Sequence, residues 1–199
     1  GLFEAVFKKV LDIGLDMPFR RITWQESMEK YGTDKPDLRY GLTITDISAI
    51  FSQSGLKIFK KAVDSGGNVK CLVVPDASAF SRKDLDGLVD LAKESGAGGL
   101  AWIRIDDDMS FQSPIAKFMS EREVKDLTSA LDLKPKNLVL IVADDFTTSC
   151  EVLGDLRVHL AKKLGIIKKD VFEFVWVYDF PLFEWDEEEN RLTSIHHPF

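Results

Sequence analysis

Between residues 41 and 165, short β-type segments alternate with segments that carry helix start signals, and this order limits the fold more than any other feature. Three pairs have the capping-box spacing of a helix N-terminus, namely Ser81/Asp84, Ser120/Glu123 and Thr148/Glu151. Ser113 followed by Pro114 adds a fourth start signal. Apolar, strand-like segments occupy residues 42–44, 68–74, 100–105 and 137–143. The order predicts an α+β fold, with helices packed on one face of a mostly antiparallel sheet.

The two flanking regions, residues 1–40 and 166–199, have different sequence patterns from the middle region. An amphipathic stripe begins at Leu2 and ends before Gly14, and Thr23 with Glu26 predicts the start of a second, short helix. Residues 172–180 form an almost continuously apolar strand pattern, which is typical of a strand covered on both faces. We therefore expect residues 1–40 and 166–199 to be two pieces of one interrupted domain, with residues 41–165 inserted between them.

Composition excludes several classes of protein. A net charge of −7 argues against a broad nucleic-acid-binding surface, because such surfaces depend on clustered Lys and Arg. No apolar run approaches the roughly 18 residues of a membrane span, and no charged and apolar leader opens the sequence. Cys71 and Cys150 lack metal-like spacing and fit reduced, buried thiols. We expect a soluble, cytoplasmic protein that does not contact membranes.

An irregular segment at residues 31–41 joins the first flank to the middle region. Glycines at both ends and one proline give this loop a defined shape, and its charges alternate in sign at Asp34, Lys35, Asp37 and Arg39. These side chains either pair among themselves in a solvated loop or hold a zwitterionic, phosphorylated ligand. The pattern alone leaves both interpretations open.

Four strings resemble the catalytic core of bacterial-type aspartyl-tRNA synthetases, which are class II enzymes. They are PFRRIT at 18–23, YGTDKPDLRYG at 31–41, VWVYDFPLFE at 175–184 and HHPF at 196–199, in the order in which that family has them. The region between them resembles the insertion domain that these synthetases share with an amidotransferase acting on misacylated tRNA. The resemblance covers the whole chain and implies an insertion domain flanked by pieces of a class II catalytic domain.

The resemblance also implies a function. The parent enzyme activates L-aspartate with ATP and Mg²⁺ to aspartyl-adenylate and transfers the amino acid to the 3′ end of tRNA, and it is a homodimer. His196 and His197 are then expected to bind aspartate, although without the resemblance they also fit a surface loop. Asp34, Lys35, Asp37, Arg39 and Asp179 are expected at the border of the active site; for Asp179, a turn role before Pro181 is the alternative. No catalytic residue and no metal ligand is assigned.

One departure from the family limits that expectation. The ATP-binding arginine of the second class II motif and the Gly-x-Gly-x-Arg run of the third are both missing from the 199 residues, which open on Gly1 and stop at Phe199. We expect an excised, monomeric piece of the enzyme that is inactive alone and binds neither ATP nor Mg²⁺ tightly. The alternative is a non-catalytic tRNA- or protein-binding module derived from a synthetase. The basic residues that support this alternative are limited to two groups of lysines, namely Lys57, Lys60 and Lys61, and Lys162, Lys163, Lys168 and Lys169.

Overall fold

The structure, a computed structural model, describes residues 1–186 and 189–195. These residues form seven α-helices and nine strands. The helices are α1 (Leu2–Leu11), α2 (Trp24–Tyr31), α3 (Ser48–Phe51), α4 (Lys57–Asp64), α5 (Arg82–Glu94), α6 (Glu121–Ala130) and α7 (Phe146–Lys163). The strands are β1 (Arg20–Thr23), β2 (Ile44–Asp46), β3 (Asn68–Val74), β4 (Ala101–Ile105), β5 (Phe111–Gln112), β6 (Leu138–Asp144), β7 (Val175–Tyr178), β8 (Phe183–Asp186) and β9 (Arg191–Ser194).

A five-stranded sheet in the order β2-β3-β6-β4-β5 forms the centre of the middle region. Every neighbouring pair in it is antiparallel. The longest pairing joins β3 to β6 and sets Cys71 opposite Ile141. The predicted α+β class and antiparallel sheet are therefore confirmed.

Helices lie on both faces of this sheet, whereas the sequence pattern predicts them on one. Successive residues of β6 point to opposite faces, as they must in a strand. Leu138, Leu140 and Val142 pack in one apolar cluster with residues of α5 and α7. Val139 and Ile141 pack in a second cluster with residues of α3, α4 and α6. Five consecutive buried apolar residues in β6 require cover on both sides, and this requirement explains the difference.

Of the four helix start signals predicted in the middle region, the structure confirms two. Ser81 and Ser120 each cap a helix in a complete capping box, as predicted. The predicted cap at Thr148 is wrong, because α7 begins one turn earlier and the Asp145 carboxylate accepts the Thr148 backbone N–H at 2.9 Å. Asp is at least as good an N-cap as Thr, so the earlier of the two residues caps the helix. Ser113-Pro114 leads only to a 3₁₀ turn at residues 116–118.

The two flanks meet in the structure. Strands β1 and β7 pair in parallel, from Arg20 opposite Val175 to Thr23 opposite Tyr178. Aromatic rings of α1 and of the residue before β1 pack on the segment before β7, with centroid separations between 4.9 and 5.8 Å. The rings belong to Phe3, Phe7, Phe19, Phe172 and Phe174.

The prediction of a strand covered on both faces fails at β7. Only residues 175–178 are extended, and the side chain of Trp176 is 56% exposed. Among the described residues β1 is the only strand paired with β7, so the other edge of β7 has no strand partner. The exposed side chains of Trp176 and Tyr178 alternate with half-buried ones, so one face of β7 is open. No described helix is long and apolar enough to cross a membrane.

Candidate functional site

The loop between α2 and β2 packs directly on α7. Gly32 ends α2 with a φ of 71°, a left-handed conformation that favours glycine. A Cβ at Gly32 would lie 2.1 Å from the carbonyl oxygen of Cys150 and 2.7 Å from the Cα of Gly154. A Cβ at Gly154 would in turn lie 2.7 Å from the carbonyl oxygen of Gly32. Two glycines therefore allow α2 and α7 to approach backbone to backbone at the start of the loop.

Within the loop, Asp37 and Arg39 form a bidentate ion pair. Arg39 donates from Nε to Asp37 Oδ1 at 2.9 Å and from Nη2 to Oδ2 at 2.7 Å. The hydrogen bond from the Arg39 side chain lowers the pKa of Asp37, and the same bond raises the pKa of Arg39. Self-pairing, one of the two interpretations left open by the charge pattern, thus holds for these two residues.

Asp34 and Lys35 are placed differently. The Lys35 side chain is exposed and Asp34 is half-buried. No side-chain hydrogen bond or ion pair between described residues engages either of them, while the Lys35 backbone N–H donates to Thr33 Oγ1 at 3.2 Å. The backbone here is therefore held while the two charged side chains remain available to a ligand. Below them, the buried Ser27 hydroxyl donates to the Thr33 carbonyl at 2.7 Å.

Arg157 of α7 forms the floor of the second half of the loop. Its side chain is 1% exposed and its guanidinium donates to three backbone carbonyls and one hydroxyl. The acceptors are Leu42 O, Asp37 O at 2.6 Å, Tyr40 O at 3.3 Å and Tyr40 Oη at 3.1 Å. The guanidinium carbon also lies 4.1 Å from the ring centroid of Tyr40 and 5.0 Å from that of Tyr31. Burial lowers the pKa of Arg157, and the nearby tyrosines and Asp37 oppose this change.

A cavity of about 550 Å³ opens beside the loop. Its lining brings together three cationic side chains from separate parts of the chain, namely Arg20 of β1, Arg39 of the loop and Lys168 after α7. Tyr31, Leu38, Tyr40, Gly41, Thr43 and Ile166 complete the lining. Arg39 is bound to Asp37, and Arg20 Nη2 lies 3.8 Å from Glu26 Oε1, so Lys168 is the cationic side chain of this lining that has no ion-pair partner among the described residues. This cavity suits an anionic group such as a phosphate or carboxylate.

A larger cavity, of about 640 Å³, lies elsewhere, between the start of α4 and residues 113–118. Its lining is mainly apolar and includes Leu56, Ile58, Phe59 and Phe118. Lys57 is the only ionisable residue in that lining. We assign the candidate site to the smaller cavity, because charged groups with defined partners lie there and volume alone does not indicate chemistry.

The structure brings together four of the seven residues predicted for the site. Asp34, Lys35, Asp37 and Arg39 share the loop, whereas Asp179 follows β7, is exposed, and has a φ of 57°. Among the described residues, no hydrogen bond or ion pair joins Asp179 to the loop. His196 and His197 lie outside the described residues. Within the described part of the chain, no group of three His, Cys, Asp or Glu side chains is arranged to hold a metal ion.

Sequence reasoning missed Arg157 and Gly154. The available signal is the position of Arg157 in α7, where it follows the buried Leu153 by four residues and precedes the buried Leu160 by three. An arginine at an apolar position of a helix stripe is a signal of a buried polar network, since a buried charge needs several hydrogen-bond partners. The sequence could therefore have indicated that Arg157 is buried, but not which groups accept its hydrogen bonds.

Comparison with known protein families identifies the middle region of the chain. Residues 59–153 match the GAD domain family. The matched region starts in α4, includes strands β3 to β6, and ends in α7. It therefore reaches the residue before Gly154 and contains most of the central sheet, but not the loop.

The whole chain is also similar to part of several aspartate–tRNA ligases. It is 49% identical over 199 residues to the aspartate–tRNA(Asp/Asn) ligase of Persephonella marina. It is 46% identical over 198 residues to the enzyme of the same name from Caldanaerobacter subterraneus subsp. tengcongensis, and 45% identical over 198 residues to the aspartate–tRNA ligase of Clostridium botulinum. Each alignment covers all of this chain and 33% of the relative, so the chain spans about a third of the length of the relatives it matches.

Proposed function

From the similarity of the whole chain to part of several aspartate–tRNA ligases, we propose that it is a segment of such an enzyme. The parent enzyme activates L-aspartate with ATP to aspartyl-adenylate and transfers the aspartyl group to the 3′ end of tRNA. The observation that carries this proposal is the 49% identity that extends through both flanks as well as the middle region. Similarity confined to the GAD domain would support only a shared domain, and not a shared enzymatic function.

The pairing of the two flanks supports our proposed domain arrangement. Residues 1–40 and 166–199 form one interrupted catalytic-domain piece, joined through β1 and β7, and residues 41–165 form the insertion domain. Large apolar side chains are exposed on the flanking elements, including Leu2, Val10, Trp176, Trp185 and Leu192. Exposed apolar surface of this kind fits contact with further protein. We propose that the rest of the parent's catalytic domain covers it.

The site residues have proposed roles in the parent. We propose that Lys35, whose side chain has no partner among the described residues, meets a carboxylate of aspartate and that Asp34 meets its ammonium group. Both residues lie on the loop but outside the lining of the cavity beside it. Asp37 and Arg39 fix the loop through their own ion pair. His196 and His197 complete the aspartate pocket, and Asp179 borders it after β7.

ATP is a substrate of the proposed reaction, and Mg²⁺ accompanies its phosphates. Activation of this kind depends on positioning and on cationic groups that stabilise charge at the transferring phosphorus. The charge of Lys168 fits an anion, but we assign neither ATP nor Mg²⁺ to particular residues of this chain. The arginines of the second and third class II motifs are missing from the 199 residues. The chain by itself is therefore proposed to be inactive.

A chimeric enzyme tests the proposal with this chain's own residues. The 199 residues replace the matching third of the Persephonella marina ligase, and aspartate-dependent ATP–pyrophosphate exchange is measured. The chimera should exchange, and the 199-residue chain alone should not. In the chimera, Lys35→Ala should raise the KM for aspartate by about tenfold or more, since a charge-assisted contact is worth about 1.5–3 kcal/mol. Lys9→Ala, on the exposed side of α1, is the matched control.

Two results would contradict the proposal. A folded chimera without aspartate-dependent exchange would remove the assignment of this chain to the enzyme. Clear exchange by the 199-residue chain would show that the missing arginines are not required. His196→Ala and His197→Ala in the same chimera test the aspartate pocket separately, with a higher KM for aspartate as the expected result.

A tRNA-binding module is the second candidate function, and the cationic cavity beside the loop is the observation that favours it. The other basic residues support it less, because Lys163 pairs with Asp84 at 2.6 Å and Lys60 with Asp64 at 3.4 Å. Binding of tRNA to the 199-residue chain, weakening as salt rises and lost in an Arg20→Gln/Lys168→Gln variant, would support this candidate. Absence of binding at low salt would leave the middle region a structural role.

A further inference from the structure

Arg157 joins two parts of the chain that the proposed domain arrangement separates. It belongs to α7 of the insertion domain, and all four of its hydrogen-bond acceptors lie in residues 37–42. The acceptors include the main-chain carbonyls of Asp37 and Tyr40, which flank Arg39. The orientation of the Asp37–Arg39 ion pair therefore depends on a side chain more than a hundred residues away in sequence.

The geometry suits arginine and no other residue. The guanidinium is a planar, rigid fork that donates in several directions at once, and three of its nitrogens are used here. It also stacks close to Tyr40, whose ring centroid lies 4.1 Å away. Since Arg157 has no carboxylate bound directly to it among the described residues, the carbonyl oxygens and the hydroxyl are what satisfy it. Because the buried guanidinium donates mainly to main-chain carbonyls, its hydrogen bonds hold the backbone of residues 37–42 in one conformation.

We propose that Arg157 is a positioning residue for amino-acid activation: it fixes the backbone of residues 37–42 from the insertion domain and so sets the shape of the aspartate site. The proposal rests on the proposed function for its catalytic part. It gives the insertion domain a direct influence on the chemistry of the catalytic domain. Arg157 itself does not touch the substrate.

The structural part is tested in the 199-residue chain, independently of any activity. Arg157→Met keeps the length and apolar stem but removes every donor. Hydrogen–deuterium exchange of peptides covering residues 37–42 should rise by about tenfold or more, while exchange of β6 rises less. Leu127→Ala is the matched control, because Leu127 is fully buried on the opposite face of the sheet, and its truncation also destabilises the fold.

The catalytic part is tested in the chimeric ligase. Arg157→Met should lower kcat/KM for aspartate by about 10- to 100-fold, in the range expected for a misplaced binding group. The loss should appear mainly as a higher KM for aspartate, with the KM for tRNA unchanged. Arg157→Lys keeps the charge without the fork, so it should recover only a small part of the loss. Leu127→Ala should leave the KM for aspartate unchanged at a temperature where the chimera is folded.

Either part of the test overturns the proposal. Loop exchange in Arg157→Met that is no faster than in Leu127→Ala would show that the residue does not fix the loop. An unchanged KM for aspartate, or full recovery by Arg157→Lys, would show that the fork does not position the site. If the unsubstituted chimera is inactive, the proposed function fails, and loop exchange in the chain alone still decides the role of Arg157.

Discussion

Substitution of Gly154 by alanine should lower the free energy of unfolding, although the same substitution in a helix normally raises it. The close contact between Gly154 and Gly32 is the reason. In the middle of an exposed helix, Gly→Ala stabilises a protein by about 0.5–1 kcal/mol, because alanine restricts the unfolded backbone. At Gly154 the new Cβ would lie 2.7 Å from the Gly32 carbonyl oxygen, about 0.7 Å inside the 3.4 Å at which ordinary contact begins. Gly32 C and Cα lie only 3.0 and 3.1 Å away, so no side chain can rotate to relieve the contact.

The expected magnitude follows from these two opposing effects. Overpacking a buried contact costs about 1–3 kcal/mol, and a contact made only with backbone belongs at the upper end of that range. Subtracting the gain in helix propensity, about 1 kcal/mol, leaves a net loss of about 2 kcal/mol in the free energy of unfolding. The loop after Gly32 should also loosen, since its first residue is displaced from α7.

Urea unfolding of the 199-residue chain measures this effect, and Gly87→Ala is the internal control. Gly87 lies in α5, is exposed, and has nothing within 4 Å of the position that an alanine Cβ would occupy. Gly87→Ala should therefore raise the free energy of unfolding by about 0.5–1 kcal/mol. The two variants should differ by about 3 kcal/mol in total. If Gly154→Ala were as stable as Gly87→Ala, the close approach of α2 and α7 would be refuted.

Three further predictions concern a charge, the thiols and a helix cap. The pKa of Asp84 is lowered below its ordinary value of 3.8, chiefly by the Lys163 side chain, so its contribution is present above that pH and lost as the pH falls through the folded-state value. The stability difference between wild type and Asp84→Asn should therefore shrink below pH 3.8 in urea titrations. Cys71 and Cys150 are fully buried, and burial raises the pKa of Cys71 to about 12, so iodoacetamide should label them only in urea, as read by mass spectrometry. Thr23→Ala removes the cap that accepts the Glu26 backbone N–H and should cost about 1 kcal/mol in urea unfolding.

Local signals in the sequence were sufficient for the three longest strands of the central sheet, β3, β4 and β6, and for the presence of α5, α6 and α7. The strands predicted at residues 68–74 and 137–143 match β3 and β6 closely, because long runs of β-branched and apolar residues bounded by polar residues leave little ambiguity. The start of α7 was misplaced because Asp145 and Thr148 are both good caps. The number of covered faces was also wrong, since the short helices α3 and α4 carry no capping signal of their own.

The charged loop could be recognised in the sequence, but the residues that support it could not. The residues of the loop were identified from its charges and its resemblance to a known family. That Asp37 and Arg39 would pair with each other, rather than remain free for a ligand, depends on the folded geometry of the loop. Arg157 depends on a contact across more than a hundred residues, and no local pattern specifies which carbonyls a buried guanidinium will meet.

The two roles of α7 make the stability of the insertion domain and the shape of the loop interdependent. Val152, Leu156 and Leu160 pack with the sheet, while Gly154 and Arg157 face α2 and the loop. Because one rigid helix carries both sets of contacts, a change that shifts α7 on the sheet must also shift the carbonyls that Arg157 holds. A loop supported only by its own residues would lack this dependence, since its internal Asp37–Arg39 pair is partly exposed and contributes little to stability. The region that ends in α7 therefore supports the charged loop directly, through the carbonyls that Arg157 holds.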